Sequence, residues 1–342
     1  MDNICNRRGL ITHSNSSTMF SPRTLLNTSV IIHPPGFYII GFETFPYISI
    51  YLIFLAFVYA VTVLFNIFLI CIIIYDHSLH TPKFLAVINL AVVDLLLNTC
   101  TIPSMIKVFL IKDNFVPFNL CLVQMYFYYA ILAMESYSLA ILAYDRFVAI
   151  CFPLHQHSIN TLWSMSCIVG FTWIFNLGRL GYSVSIMTRL SFCNSLRVMS
   201  YFCDYAPVFR LACNDYSLQW SVASVSSMVN LIAPFSFIFL SYVCILVTVL
   251  RMKSVSNRIK VFTTCIEHLI VVAIFYLPIF SIFFIGLYLR VIDPDQRVLS
   301  LSLASCITPC INPIVYSLKT KEIKARAVTL QSDHNMTNFY YV

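Results

Sequence analysis

Charge is scarce in this 342-residue chain: Asp, Glu, Lys and Arg make up 10% of it, against 59% hydrophobic residues. That balance leaves too little polar surface to coat a soluble globule, so the composition predicts an integral membrane protein. Segments of about ten residues with alternating polarity are missing, which excludes a membrane β-barrel. Residues 1–47 hold no secretory apolar stretch, so no cleaved signal is expected and the first long apolar run would target the chain. The net charge of +7 is scattered over tails and loops without a dense basic tract. It suits lipid head groups, and nucleic acid is not an expected partner. No nucleophile and base pair, metal cluster or phosphate loop stands in a plausible context, so an enzyme is not expected.

What the chain does contain is seven apolar runs: 48–75, 84–106, 120–142, 162–182, 222–250, 261–289 and 298–318. Each is about the 20 residues that a helix needs to cross roughly 30 Å of hydrocarbon. The expected fold is an all-α, seven-transmembrane helix bundle over 48–318, with a tail outside over 1–47 and a cytoplasmic tail over 319–342. Residues 317–324 read as a short amphipathic helix on the membrane surface. The polar N-terminal tail, with Pro34-Pro35-Gly36 before the first span, predicts no regular structure.

Orientation comes less from Lys and Arg, which divide almost evenly between the two sides, than from chemistry tied to compartment. The glycosylation sequons at Asn15 and Asn27 precede the first span, as an extracellular N-terminus requires, although Asn335 in the opposite tail also matches. Cys121, Cys193, Cys203 and Cys213 all fall on that same outer side, where disulfides persist. Four cysteines allow three pairings, and spacing does not choose among them.

Two carboxylates fall near the middle of the spans. Asp94 lies about 18 Å from the cytoplasmic start of its helix and Glu135 about 16 Å from the same surface, at 1.5 Å per residue. An intramembrane charge costs about 2.5–3.5 kcal/mol on insertion scales, so a cation between the two is the natural solution, and sodium or a proton would serve. Helical spacing places Tyr128, Leu132, Glu135, Leu139, Leu142 and Arg146 on one stripe of the third span, facing the bundle interior. Asn66 interrupts the first span, where it would hydrogen-bond a neighbouring helix.

The third span ends in Ala143-Tyr144-Asp145-Arg146-Phe147-Val148-Ala149-Ile150-Cys151 with Pro153-Leu154 after it. This resembles the signature of odorant receptors, a branch of the rhodopsin-like G-protein-coupled receptors. Asn66, Leu90 to Asp94, Cys121, Pro234, Ser241-Tyr242, Pro278 and Asn312-Pro313-Ile314-Val315-Tyr316 fit the general receptor pattern. More specific to the odorant branch are His80-Thr81-Pro82, Glu135, Lys260 to Leu269, Phe275-Tyr276 and Pro309-Cys310-Ile311-Asn312-Pro313. The wording of Pro82 to Ala86 and Asn89 to Asp94 is similar to that of fish receptors. The resemblance covers nearly all seven spans.

It implies disulfides Cys121–Cys203 and Cys193–Cys213, a plasma-membrane location, and a small-molecule odorant and a stimulatory heterotrimeric G protein as partners, with cyclic AMP as output. No cofactor is implied beyond the sodium ion at Asp94 and Glu135. Ligand sites in bundles are concave and mostly apolar with few polar groups, which places recognition in the outer half. Candidates there are Tyr128, Tyr129, Leu132, Ser226, Ser227, Asn230, Tyr276, Ile279, Phe280, Phe283, Ser302 and Ser305. The outer stripe of span three has no carboxylate to meet an amine, and span seven has no Lys for a retinal Schiff base, so a small, uncharged or weakly polar ligand is expected. The switch toward the G protein would involve Asp145, Arg146, Tyr242, His268, Asn312, Pro313 and Tyr316, with Pro278 kinking span six. A receptor for lipid or peptide is the alternative within the class. An ion-coupled transporter or channel using the two acids is the alternative outside it, disfavoured by the lack of an internal repeat.

Overall fold

Hydrocarbon offers a spanning backbone no water to bond with, so the apolar runs must close their hydrogen bonds internally as helices. The computed structural model describes residues 31–193, 195–288 and 293–319, with side chains except at 283–288, 294 and 316–319. Its long helices are α1 (Ile48–Tyr75), α2 (Pro82–Met105), α3 (Phe118–Cys151), α4 (Leu162–Ser185), α5 (Ser217–Arg251), α6 (Val255–Tyr288) and α7 (Pro294–Lys319). All except α4 are long and apolar enough to cross a membrane. At 24 residues α4 has the length but is less apolar, carrying Asn176 and Arg179. The sequons at Asn15 and Asn27, and the amphipathic segment beyond Lys319, lie outside the described residues.

Helix α3 is the axis: 72% of its apolar stretch is buried, against 28% for α5 and 33% for α1 and α6. It continues past residue 142 to Cys151, so Asp145 and Arg146 sit on its last turns. Local signals begin its neighbours. Pro82 stands at the first position of α2, where its missing N–H has no helical partner to lose, and Thr161 Oγ1 accepts from Ser164 N (3.1 Å) at the start of α4.

Proline inside the helices frees carbonyls that polar side chains then meet. Pro313 has no N–H for the carbonyl of Pro309, and Asn66 Nδ2 of α1 donates to that carbonyl at 3.3 Å. Asn98 Nδ2 of α2 donates to Thr62 Oγ1 (2.9 Å) and to Cys306 O (3.2 Å), tying α1, α2 and α7 together. On the other side Asn89 links three helices, donating to Ser138 Oγ (2.8 Å) of α3 and accepting from Trp173 Nε1 (2.8 Å) of α4.

The segment before α1 differs from the sequence expectation of an unstructured tail. Gly36–Ile39 forms strand β1, paired antiparallel with β2 (Phe115–Pro117) and parallel with β3 (Arg197–Val198), in the order β2-β1-β3. Polarity of the tail conceals this because the pairing partners come from the loops before α3 and after α4. Gly36 is required at the crossing: a Cβ there would lie 2.2 Å from Val116 O. Phe37 packs beneath the strand against Phe192, edge to face at 5.1 Å, and Phe118. Disulfides join Cys121 to Cys203 and Cys193 to Cys213, so the loop after α4 is anchored on α3 and closed on itself.

The Cys121–Cys203 bridge spans 82 residues of chain, and removing a native bridge of this kind typically costs about 2–5 kcal/mol. Cys203→Ser should therefore strip the protein from the cell surface; antibody staining of intact cells at the native level would contradict the structural weight given to the bridge.

Candidate functional site

Below the disulfide-anchored loop, a cavity of about 330 Å³ opens between α3, α4, α5, α6 and α7. Its walls are mainly apolar, among them Leu132, Leu180, Leu231, Phe275, Ile279 and Leu301. Its outer end is charged. Arg297 of α7 pairs with Asp204 of the loop at 2.5 Å, and Tyr129 Oη donates to the other oxygen of Asp204 at 2.6 Å. Asp204 is fully buried, so these donors replace the water it gave up on folding.

The α5 wall owes its shape to a π turn, Met228–Ile232, followed by Pro234. Pro234 lacks the N–H that would meet the Asn230 carbonyl, and Ser136 Oγ donates to that carbonyl instead at 2.7 Å. Tyr137 Oη does the same for Val229 O at 3.0 Å. With its proton committed, Ser136 Oγ accepts from Tyr276 Oη (2.6 Å), which links α3, α5 and α6 at the cavity floor.

Of the ligand residues expected from sequence, Tyr129, Leu132, Ser226, Ser227, Asn230 and Ile279 line this cavity. The others are placed differently. Tyr128 is buried with its hydroxyl 2.5 Å from Tyr201 Oη, because the extracellular loop dips against α3 there. Ser302 and Ser305 meet Tyr51 (2.7 Å) and Tyr201 (3.2 Å), consumed by packing among α7, α1 and the loop. Tyr276 sits at the floor, and Phe280 packs on Phe235 at 4.8 Å. The side chain of Phe283 lies outside those described. Sequence reading missed Ser136, Ser183, Asp204, Tyr205 and Arg297, which line the cavity, and Arg179 beside it. Arg179 was within reach of the rule that singled out Asp94 and Glu135, since it is also a charge inside a span. Asp204 and Arg297 carry no such signal, because loop folding alone brings them together.

Beside the cavity floor, on another face of α3, Asn312 Nδ2 donates to both Asp94 Oδ1 (2.8 Å) and Glu135 Oε1 (2.9 Å). All three residues are buried, the Asp94 and Glu135 carboxyl groups lie in hydrogen-bonding contact with each other, and Asp94 Oδ2, Glu135 Oε2 and Asn312 Oδ1 meet no N–H or hydroxyl donor among the described residues. Three unmet oxygens, two of them carboxyl, form a donor set that fits a hard cation such as sodium, or a proton. Among the described residues no group of three or more His, Cys, Asp or Glu side chains gathers for a transition metal.

At the cytoplasmic end, Asp145 Oδ1 accepts from Asn160 Nδ2 at 2.7 Å. Arg146 forms no ion pair among the described residues, with Asp145 or any other acid. Adjacent residues point to different faces of a helix, so Asp145 turns to the loop while Arg146 turns toward α6. There Tyr242 Oη of α5 lies 2.8 Å from His268 Nδ1 of α6, with the rings stacked. Pro313 lies within α7, and the side chain of Tyr316 is outside those described.

Residues 55–333 match the family model described as olfactory receptor. The chain is 37% identical to human "Olfactory receptor 6N1" over 289 residues, which is 84% of this chain and 92% of that protein. It is 35% identical to rat "Olfactory receptor 1496" over 269 residues, 78% of this chain and 85% of that one. Human "Olfactory receptor 1M1" is similar at 37% over 78% of this chain and 84% of its own length. With its helical bundle, its two outer disulfides and this match over most of its length, the chain belongs to the olfactory receptor family, multi-pass G-protein-coupled receptors of the plasma membrane that are not enzymes.

Proposed function

We propose that this receptor binds a small organic ligand in the outer cavity and answers by activating a stimulatory G protein, raising cyclic AMP. The observation that carries the reading is the cavity itself, which touches five helices and places Phe275 and Ile279 of α6 in its wall. Phe275 stands two turns from His268 on the same helix, so a ligand that shifts the outer part of α6 acts through a stiff rod on the Tyr242–His268 contact. Release of that contact separates α5 from α6 at the cytoplasmic end and clears a place beside Arg146 for the partner. The ligand need only bind the opened arrangement better than the closed one. The short basic segment 251–260 would help steer an acidic partner surface to that opening.

The cluster of Asp94, Glu135 and Asn312 lies beside the cavity floor and joins α2, α3 and α7. A sodium ion held there by its unmet oxygens would favour the arrangement in which the three helices stay together.

Arg146→Ala should abolish the cyclic AMP response to agonist while surface expression is retained; undiminished output would sink the role given to Arg146. Sodium should lower agonist potency in the native receptor on the order of fivefold or more, a common size for coupling between sites. Asp94→Asn should lose that sensitivity, and a variant still responding to sodium would move the ion elsewhere.

A further inference from the structure

The charges around the outer cavity do not cancel. Arg297 and Asp204 neutralise each other at its outer end. Arg179 of α4 has no such partner: its Nη2 donates to Asn176 Oδ1 (3.1 Å) and to Asn230 Oδ1, both neutral amides. Its Nε and Nη1 are buried without any acceptor, and it forms no ion pair among the described residues. The ring of Phe175, 5.7 Å from the guanidinium carbon, contributes a weak cation–π attraction and no negative charge.

Arginine does not shed its proton, so the cation persists. It sits six residues inside the outer end of α4 at Ser185, about 9 Å deep at 1.5 Å per residue. Charges at such depth pair with an opposite charge or mark a site that receives one. The buried acid of α3, Glu135, is committed with Asp94 to Asn312. Asn230, which holds Arg179 Nη2, and Ser183, whose hydroxyl donates to Arg179 O at 3.2 Å, both line the cavity. Arg179 itself lies behind the lining residues, so the missing anion would reach it at the α4–α5 wall, where Asn230 and Ser183 face the cavity.

We propose that the ligands of this receptor are organic acids, with the carboxylate received by Arg179 beside Asn230 and Ser183 and the apolar body lying against Leu132, Leu231 and Ile279. The carboxylate replaces the Asn230 amide oxygen as acceptor and supplies the charge that the amide lacks. This inference rests on the cavity being the ligand site, and it departs from the sequence expectation of an uncharged ligand.

The test is a panel of short-chain and phenyl-substituted carboxylic acids, each with its methyl ester and its alcohol, read by cyclic AMP in cells expressing the full receptor. Acids should exceed their esters in potency by at least about tenfold in the native protein, equivalent to about 1.4 kcal/mol. Arg179→Gln should collapse that acid-to-ester ratio, and Arg179→Lys should restore part of it. Asn230→Asp, which gives Arg179 an internal counter-charge while keeping it in place, should collapse the ratio as well. Esters or alcohols matching the acids in the native receptor, or an unchanged ratio in Arg179→Gln, would overturn the proposal. A Gln variant that loses surface level but keeps the ratio assigns Arg179 to lipid contact or packing and equally overturns it. Activity from neutral compounds with silence from acids defeats this inference and leaves the receptor reading standing. Silence from both classes, beside a responding control receptor, defeats both.

Discussion

Asn312 gives one amide group to two carboxyl groups, Asp94 and Glu135, in a layer from which water is excluded. In hydrocarbon a polar atom without a partner costs far more than in a soluble protein, and the bundle's interior is arranged around that fact. The prolines show it most directly. Pro313 orphans a carbonyl that Asn66 meets, and Pro234 orphans one that Ser136 meets. At these two breaks in a helix ladder the freed carbonyl becomes a cross-link to another helix.

The three polar levels along α3 follow from the same constraint. Ser136 and Tyr137 at the cavity floor tie α3 to the π turn of α5, Glu135 ties it to α2 and α7, and Asp145 ties it to the loop at Asn160. Between Ser138 and Asp145 the buried residues of α3, Leu139 to Ala143, are apolar. A ligand above can therefore bias an arrangement below without any continuous chain of hydrogen bonds. Among the buried polar atoms left without a donor or acceptor in the described residues are Asp94 Oδ2, Glu135 Oε2 and the Nε and Nη1 of Arg179, where an ion or ligand has something to gain.

The helices were legible because a bilayer demands long apolar runs: the run 48–75 coincides with α1, and the other runs each fall on a long helix. The depths of Asp94 and Glu135 were legible from a rise per residue alone. Tyr128 and Ser305 were placed in the pocket by their position on inward faces, and the same faces are covered by Tyr201 from a loop, which no periodicity reveals. The strand at Gly36–Ile39 was hidden for the same reason, since its partners lie about 80 and 160 residues along the chain.

By itself, then, the sequence determined the class, the apolar runs that became helices and the shared level of Asp94 and Glu135, because these depend on hydrophobicity and on fixed helical geometry. The tertiary structure decided which side chains share a cavity, that Asp204 meets Arg297, and that Arg179 meets no acid among the described residues. The pairing outcomes depend on how loops descend onto the bundle and how helices rotate against one another, and such contacts between distant parts of the chain leave no local pattern to read.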